Sequence, residues 1–376
     1  MTLASRIKIQ EQTKKAFEQY ERVKRAESKQ MAIYSQFDCG YRSPANTCTL
    51  YGDCSQIPKD GAAYCGSCSS RLIELGIALV QPTLNELPSQ LLEPIFRHRV
   101  GNLAVDQFQL NCGIIKYEGK TLLAYRKGWG NAEVWLAELD DNFDAISNVK
   151  LEVPATKYNE LGSEDPRLFI HEGKLFLMFI GYTQATGKRA THILYSLISS
   201  NGAVVSTFLP YLSARGAWEK NWGFFSYRKE LYAVYSIHPH IIIKVSDDRA
   251  WISTITSLVY PDYLGSPRSG SSPFLHNDEW YCFTHNCFRY GNNRWYGMCC
   301  YTFENKPPFK PLRYADGFLM LPDKKDRPAS HVPHVIFPNG AYLENNEWIV
   351  SYGYYDKYSE VVKFDAMQLE GVLKPI

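Results

Sequence analysis

The densest chemistry in the chain lies in Gly162-Ser163-Glu164-Asp165-Pro166-Arg167-Leu168-Phe169, where two adjacent carboxylates and an arginine open a strongly apolar run. A carboxylic acid on the rim of a cavity can donate a proton to a leaving oxygen, and a guanidinium can hold a carboxylate or another anion. Pro166 disfavours the helical region for Asp165 and is expected to keep it extended. Neighbours on an extended chain alternate, so Glu164 should point away from Asp165 and Arg167 should share the Asp165 face. A capped strand with a structural ion pair is the plainer alternative to a catalytic acid.

A second constellation lies upstream. Five of the ten cysteines, at positions 39, 48, 54, 65 and 68, fall within residues 36–70. Cys65-Gly66-Ser67-Cys68 has the spacing that lets two thiolates reach one tetrahedral ion, and Cys48 with Cys54 forms the natural second pair. Four thiolates would close the coordination sphere, so zinc there would be structural and would supply folding energy that so short and polar a segment lacks. An iron–sulfur cluster and plain thiols are the alternatives.

The flanking segments differ from both. Residues 1–35 place Ile9, Thr13, Phe17, Tyr20 and Val23 at helical spacing among charged side chains. They read as an amphipathic helix that packs on its own domain or joins a homo-oligomer; a basic excess makes an anionic surface the alternative. Residues 71–105 read as a helical linker interrupted by Pro82, Pro88 and Pro94, with a basic cluster at Arg97-His98-Arg99. A net charge of +2 gives no global field for nucleic acid. The aromatic content of 14%, with 26 Tyr and 8 Trp, suits a sheet-rich fold or a sugar-binding surface. There is no apolar run of about 18 residues to span a membrane. The N-terminus turns polar at once, unlike a secretory signal, so the expected location is cytoplasmic.

From residue 106 to 376 an apolar strand, a tight polar turn and an aromatic-rich strand recur five times, with turns at Glu118-Gly119-Lys120, His171-Glu172-Gly173-Lys174, Arg228-Lys229-Glu230, His276-Asn277-Asp278-Glu279 and Glu344-Asn345-Asn346-Glu347. The repeat interval of about 50 to 70 residues leaves room for two more strands each time. One such sheet cannot bury both faces, whereas five arranged radially bury one another. The expected fold is all-β, a five-bladed β-propeller with an N-terminal helical and Cys-rich extension.

In a propeller the first strand of each sheet lines the axis, so residues just before those strands converge on one mouth. They are Asn111, Glu164 to Arg167, Glu219-Lys220-Asn221-Trp222, Arg268-Ser269-Gly270 and residues 331–339. The far ends of the second strands add Arg126, Tyr182, His238, His240, His285 and Asp356. A ring of polar groups needs water or a ligand to satisfy it.

EDPRLF at 164–169, EKNWGFF at 219–225, YSIHPH at 235–240 and VIFPNGAYLENNEWIVSYGYYD at 335–356 resemble the five-bladed propellers of glycoside hydrolase family 130. That family contains inverting β-mannoside phosphorylases, and a related glycosyltransferase group uses a nucleotide sugar on the same scaffold. The resemblance implies Asp165 as general acid. It implies Asn111, Arg126, Tyr182, Asn221, His285 and Asp356 as sugar contacts, and Lys220 with His238 or His240 at a phosphate subsite that Arg167 would join by geometry. Inorganic phosphate or a nucleotide sugar would be the co-substrate and a carbohydrate the partner. One departure is Asn111-Cys112, where the family has asparagine-proline. A hydrolase would also need a carboxylate base for water, for which Asp356 or Glu219 could serve. A non-catalytic glycan- or protein-binding propeller is the remaining alternative.

Overall fold

The computed structural model describes residues 82–106, 108–129, 131–184, 189–212, 218–256, 258, 260–323 and 334–376, together with two-residue strands at 47–48 and 52–53. The helix expected over 1–35 lies outside the described residues, as do Cys54, Cys65 and Cys68 of the expected metal set. Cys48 lies in one of the two short strands, and only its backbone is described.

Five antiparallel sheets follow one another in chain order. Blade 1 comprises Gln109–Tyr117, Lys120–Lys127, Glu133–Leu139 and Ala145–Lys150. Blade 2 comprises Ser163–His171, Lys174–Thr183, Ala190–Ile198 and Val204–Phe208. Blade 3 comprises Gly223–Tyr227, Glu230–Ser236, His240–Ser246 and Arg249–Thr256. In blade 4 the inner strand is split into Ser266–Ser269 and Phe274–His276, followed by Glu279–Tyr290, Asn293–Glu304 and Pro311–Ala315. Blade 5 has His334–Glu344, Glu347–Tyr354 and Tyr358–Asp365.

The period of two along each strand explains why the sheets stack as a wheel. In the second strand of blade 3, Leu231, Ala233 and Tyr235 enter the seam with blade 2, while Tyr232 and Val234 enter the seam with blade 4. Five apolar clusters result, one in each seam, and the one between blades 5 and 1 closes the circle. Each fully buried large apolar side chain contributes roughly 1.5–3 kcal/mol, so the seams rather than the turns hold the wheel together.

The ring is locked from outside the five repeats. Phe96–Arg99 pairs with Tyr358–Asp365 and is the fourth strand of blade 5. The described part of the expected helical linker is therefore strand and irregular chain, and the propeller begins before residue 106. Alternating burial along Phe96-Arg97-His98-Arg99 fits an edge strand, and the nearby prolines exclude a continuous helix. Arg97 and Arg99 both reach Glu360, at 2.9 and 3.3 Å, and cover the rings of Tyr354 and Tyr358. The basic cluster is thus a fastening. At the other end of the chain, Leu373–Pro375 pairs with the outer strand of blade 4.

Candidate active site

Each inner strand runs from one mouth of the axis to a hairpin turn at the other, and near the mouth the pairing breaks in four of the five. The ladder skips between Leu110 and Gly113 in blade 1, between Glu164 and Arg167 in blade 2, and between Pro338 and Gly340 in blade 5. In blade 4 the backbone amides of Gly270 and Ser271 both donate to the Phe283 carbonyl, in the gap between the two inner pieces. Asn111 and Asp165 at these breaks, and Asn221 just before the inner strand of blade 3, occupy the left-handed region, with φ of 51°, 51° and 61°. Short polar side chains tolerate that region best, so Asn and Asp are suited to these positions.

The break overturns one expectation. Pro166 does not hold Asp165 extended: the pre-proline residue avoids the right-handed helical region by going left-handed. The bulge cancels the alternation, and Glu164 and Asp165 converge. Arg126 Nη2 lies 2.8 Å from Glu164 Oε1, and its Nη1 lies 3.8 Å from Asp165 Oδ1. Asn111 Nδ2 donates to Asp165 Oδ1 at 2.7 Å. Gly353 faces the Asn111 side chain so closely that a Cβ there would overlap Asn111 Oδ1.

Lys220 enters from blade 3 and donates to the Tyr182 hydroxyl at 2.8 Å. Burial alone would lower the Lys220 ammonium, but Tyr182, Glu164 and Asp165 raise it above its ordinary value. Asp356, in the turn after the second strand of blade 5, completes the group. Burial and then the Asp165 charge push its carboxyl up to about 7, against the pull of Arg126 and Lys220. Glu164 is also raised, by burial and by Asp165, with Arg126 opposing. Asp165, Lys220 and Asp356 therefore share one mouth. Three carboxylates face two cations there, and the cluster retains a proton near neutral pH because crowded like charges resist full ionisation.

Other expected residues lie elsewhere. Arg167 is fully buried, not an open anion ligand: Nη1 donates to the Trp222 carbonyl, and Nη2 to the Asn221 side chain and the Ser269 carbonyl. It ties the inner strands of blades 2, 3 and 4 together, because the bulge turns it away from the Asp165 face. His240 is also fully buried, between blades 3 and 4 against Tyr301 and Thr256, and burial pushes it down to about 3. That removes it from the expected phosphate set. Its position opens the third strand of blade 3, past the mouth. His238 is half-buried and lowered by burial, with Asp262 opposing. His285 packs on Phe337 at 4.1 Å, and burial holds its imidazole well below the usual range. Glu219 is committed to the Trp222 indole and the Tyr235 hydroxyl, which leaves it unsuited to activating water.

One residue of the mouth ring was left out of the expected site. Arg268 stands opposite His285 in the blade 4 ladder, is half-buried, and among the described residues has no carboxylate partner. Its place just before the blade 4 break was the available signal. A separate cleft of ≈ 440 Å³, lined by Tyr227, Arg228, Trp280 and Lys306 among others, opens at the hairpin end between blades 3 and 4. No carboxylate lines it, so it offers no acid.

Glu164, Asp165 and Asp356 thus gather with Arg126 and Lys220 at one mouth of a five-bladed propeller. The profile of a glycoside hydrolase family described as β-1,4-mannooligosaccharide phosphorylase matches residues 104–374. The chain belongs to glycoside hydrolase family 130 and is accordingly a glycoside phosphorylase or hydrolase. Solved structures agree on the fold. A glycosyl hydrolase from Bacteroides ovatus is 14% identical, with a TM-score of 0.57 over 72% of this chain and 86% of that one. The β-1,2-mannobiose phosphorylase of Listeria innocua is 14% identical, with a TM-score of 0.51 over 74% and 94%. The mannose phosphorylase MPT-4 of Leishmania mexicana, solved with a phosphate ion, is 14% identical with a TM-score of 0.50 over 76% and 92%. A comparison with curated protein sequences gives no match. Among the described residues no helix is long and apolar enough to cross a membrane, and no cluster of His, Cys, Asp or Glu could hold a metal.

Proposed function

We propose that this chain catalyses the inverting phosphorolysis of a β-mannoside, with Asp165 as general acid. The observation that carries the reading is the cluster of Glu164, Asp165 and Asp356 held against Arg126 and Lys220 at one mouth; Arg268, which among the described residues has no carboxylate partner, is the further cation assigned to phosphate. Asn111 and Arg126 orient Asp165. A phosphate oxygen attacks C1 from the face opposite the leaving group. The C1–O bond to the acceptor sugar breaks as the new C1–O–P bond forms. The acceptor oxygen takes the proton from Asp165, directly or through a sugar hydroxyl, and α-mannose 1-phosphate leaves. Phosphate is a competent nucleophile, so no second carboxylate base is needed. The phosphate ion in the Leishmania mexicana relative fits this reading.

The test is incubation with β-1,2- and β-1,4-mannobiose, with and without phosphate, and with nucleotide sugars plus acceptors in the reverse sense. Phosphate-dependent release of mannose 1-phosphate supports the proposal; turnover only with a nucleotide sugar refutes phosphorolysis. Hydrolysis is the second reading, favoured by one observation: Asp356, at about 7, is tuned as a general base for water. Reducing sugar released at the same rate without phosphate would establish it.

A further inference from the structure

Trp129 is two-fifths exposed, and none of the other seven tryptophans is among the exposed large apolar residues. A large apolar ring left in water beside an ionic cluster has a cost that burial by a ligand would remove. Its surroundings are built rather than incidental. Arg126, the residue that holds Glu164 and Asp165, also donates from Nη2 to the Trp129 carbonyl at 2.7 Å and from Nε to the Gly128 carbonyl at 3.1 Å. The guanidinium carbon stands 5.0 Å from the indole ring centre. Phe108 lies against the indole at 5.8 Å, and the Gly128 amide donates to the Phe108 carbonyl at 3.0 Å. One arginine thus fixes both the acid and the aromatic ring.

We infer that Trp129, backed by Phe108, is the platform for a second sugar unit, joined through the glycosidic oxygen that Asp165 protonates. The ligand class is a β-configured pyranose. In that configuration the hydrogens on C1, C3 and C5 are all axial on one face and give an unbroken apolar surface. An α-glycosidic oxygen interrupts that face. The axial 2-hydroxyl of mannose lies on the opposite side and does not interfere. Trp129 is then a specificity-determining residue that selects a disaccharide or longer chain over free mannose.

This rests on the sugar chemistry proposed above, and the experiment separates the two. Asp165→Asn protein, which binds without turnover, is titrated with β-mannobiose, α-mannobiose and mannose while tryptophan fluorescence is followed. The same titrations are made with Trp129→Ala and Trp129→Phe added. The expected result is a fluorescence change with β-mannobiose that Trp129→Phe abolishes. Affinity for β-mannobiose should fall about tenfold in Trp129→Ala and be largely kept in Trp129→Phe, with mannose affinity unmoved. In the active enzyme Trp129→Ala should raise KM for the disaccharide far more than it lowers kcat. Equal affinity in wild type and Trp129→Ala would overturn the inference, as would parallel losses for mannose and mannobiose. An enzyme that turns over no donor refutes the catalytic reading alone, because the fluorescence titration still decides the platform.

Discussion

At the hairpin end of the propeller, all five inner strands turn back through two residues whose φ lies between 47° and 77°. At the mouth, four of the same five strands are bulged or split, and Asn111, Asp165, Asn221, Tyr355 and Asp356 are held left-handed one at a time or in a pair. The hairpin end is regular because turns with positive φ match the twist of the paired strands they join. The mouth is irregular because a regular ladder would send Glu164 and Asp165 to opposite faces. Breaking it brings both carboxylates to Arg126. The irregular end should therefore answer to substitution through activity and the regular end through stability alone.

Asp165→Asn is the strongest test of the mouth: kcat should fall by about a thousandfold or more, the range for loss of a positioned acid, with an unchanged melting curve. Steady-state release of mannose 1-phosphate measures it. Arg167→Met probes the tie beneath the mouth. It leaves the Trp222 and Ser269 carbonyls without their buried donor, at about 3 kcal/mol or more, read from the denaturant midpoint. Were Arg167 a phosphate ligand instead, the variant would keep its stability and lose phosphate affinity.

A matched pair of glycine substitutions sharpens the contrast. Gly353→Ala pushes into Asn111 Oδ1 and should loosen its hold on Asp165, lowering kcat/KM by about tenfold or more. Gly173→Ala, at φ 72° with nothing around it, should cost about 1 kcal/mol of stability and leave kcat/KM as it was. Equal loss of activity in both would break the comparison.

The pH dependence gives a smaller signal. Asp356 is raised from 3.8 to about 7, so the folded state holds a proton that the unfolded state has released. Its contribution to stability is complete below pH 4 and is lost as pH rises to about 7, at most a few kcal/mol. Urea midpoints at pH 5 and pH 8 should differ accordingly, and Asp356→Asn should flatten the difference.

Much of the wheel was legible from sequence. The five turns stand within the segments expected, from Glu118-Gly119-Lys120 to Glu344-Asn345-Asn346-Glu347, because a period-two apolar pattern and turn chemistry are local properties. Phe96–Arg99 was misread because an edge strand borrowed by the last blade has no partner nearby in the sequence. Asp165, Lys220 and Asp356 were placed at one mouth by counting strands. Arg167 and His240 were misplaced because counting strands does not say where the ladder skips a residue.

The sequence by itself determined that five similar sheets must share their apolar faces, and hence that the residues before each inner strand meet at one end of an axis. Only the tertiary structure decided which of those polar groups gather around the carboxylates and which are spent holding blades together. That choice depends on bulges, and a bulge is stabilised by contacts between blades far apart in the chain. A shift of one residue exchanges a fastening between blades, such as Arg167, for a carboxylate of the mouth, such as Asp165.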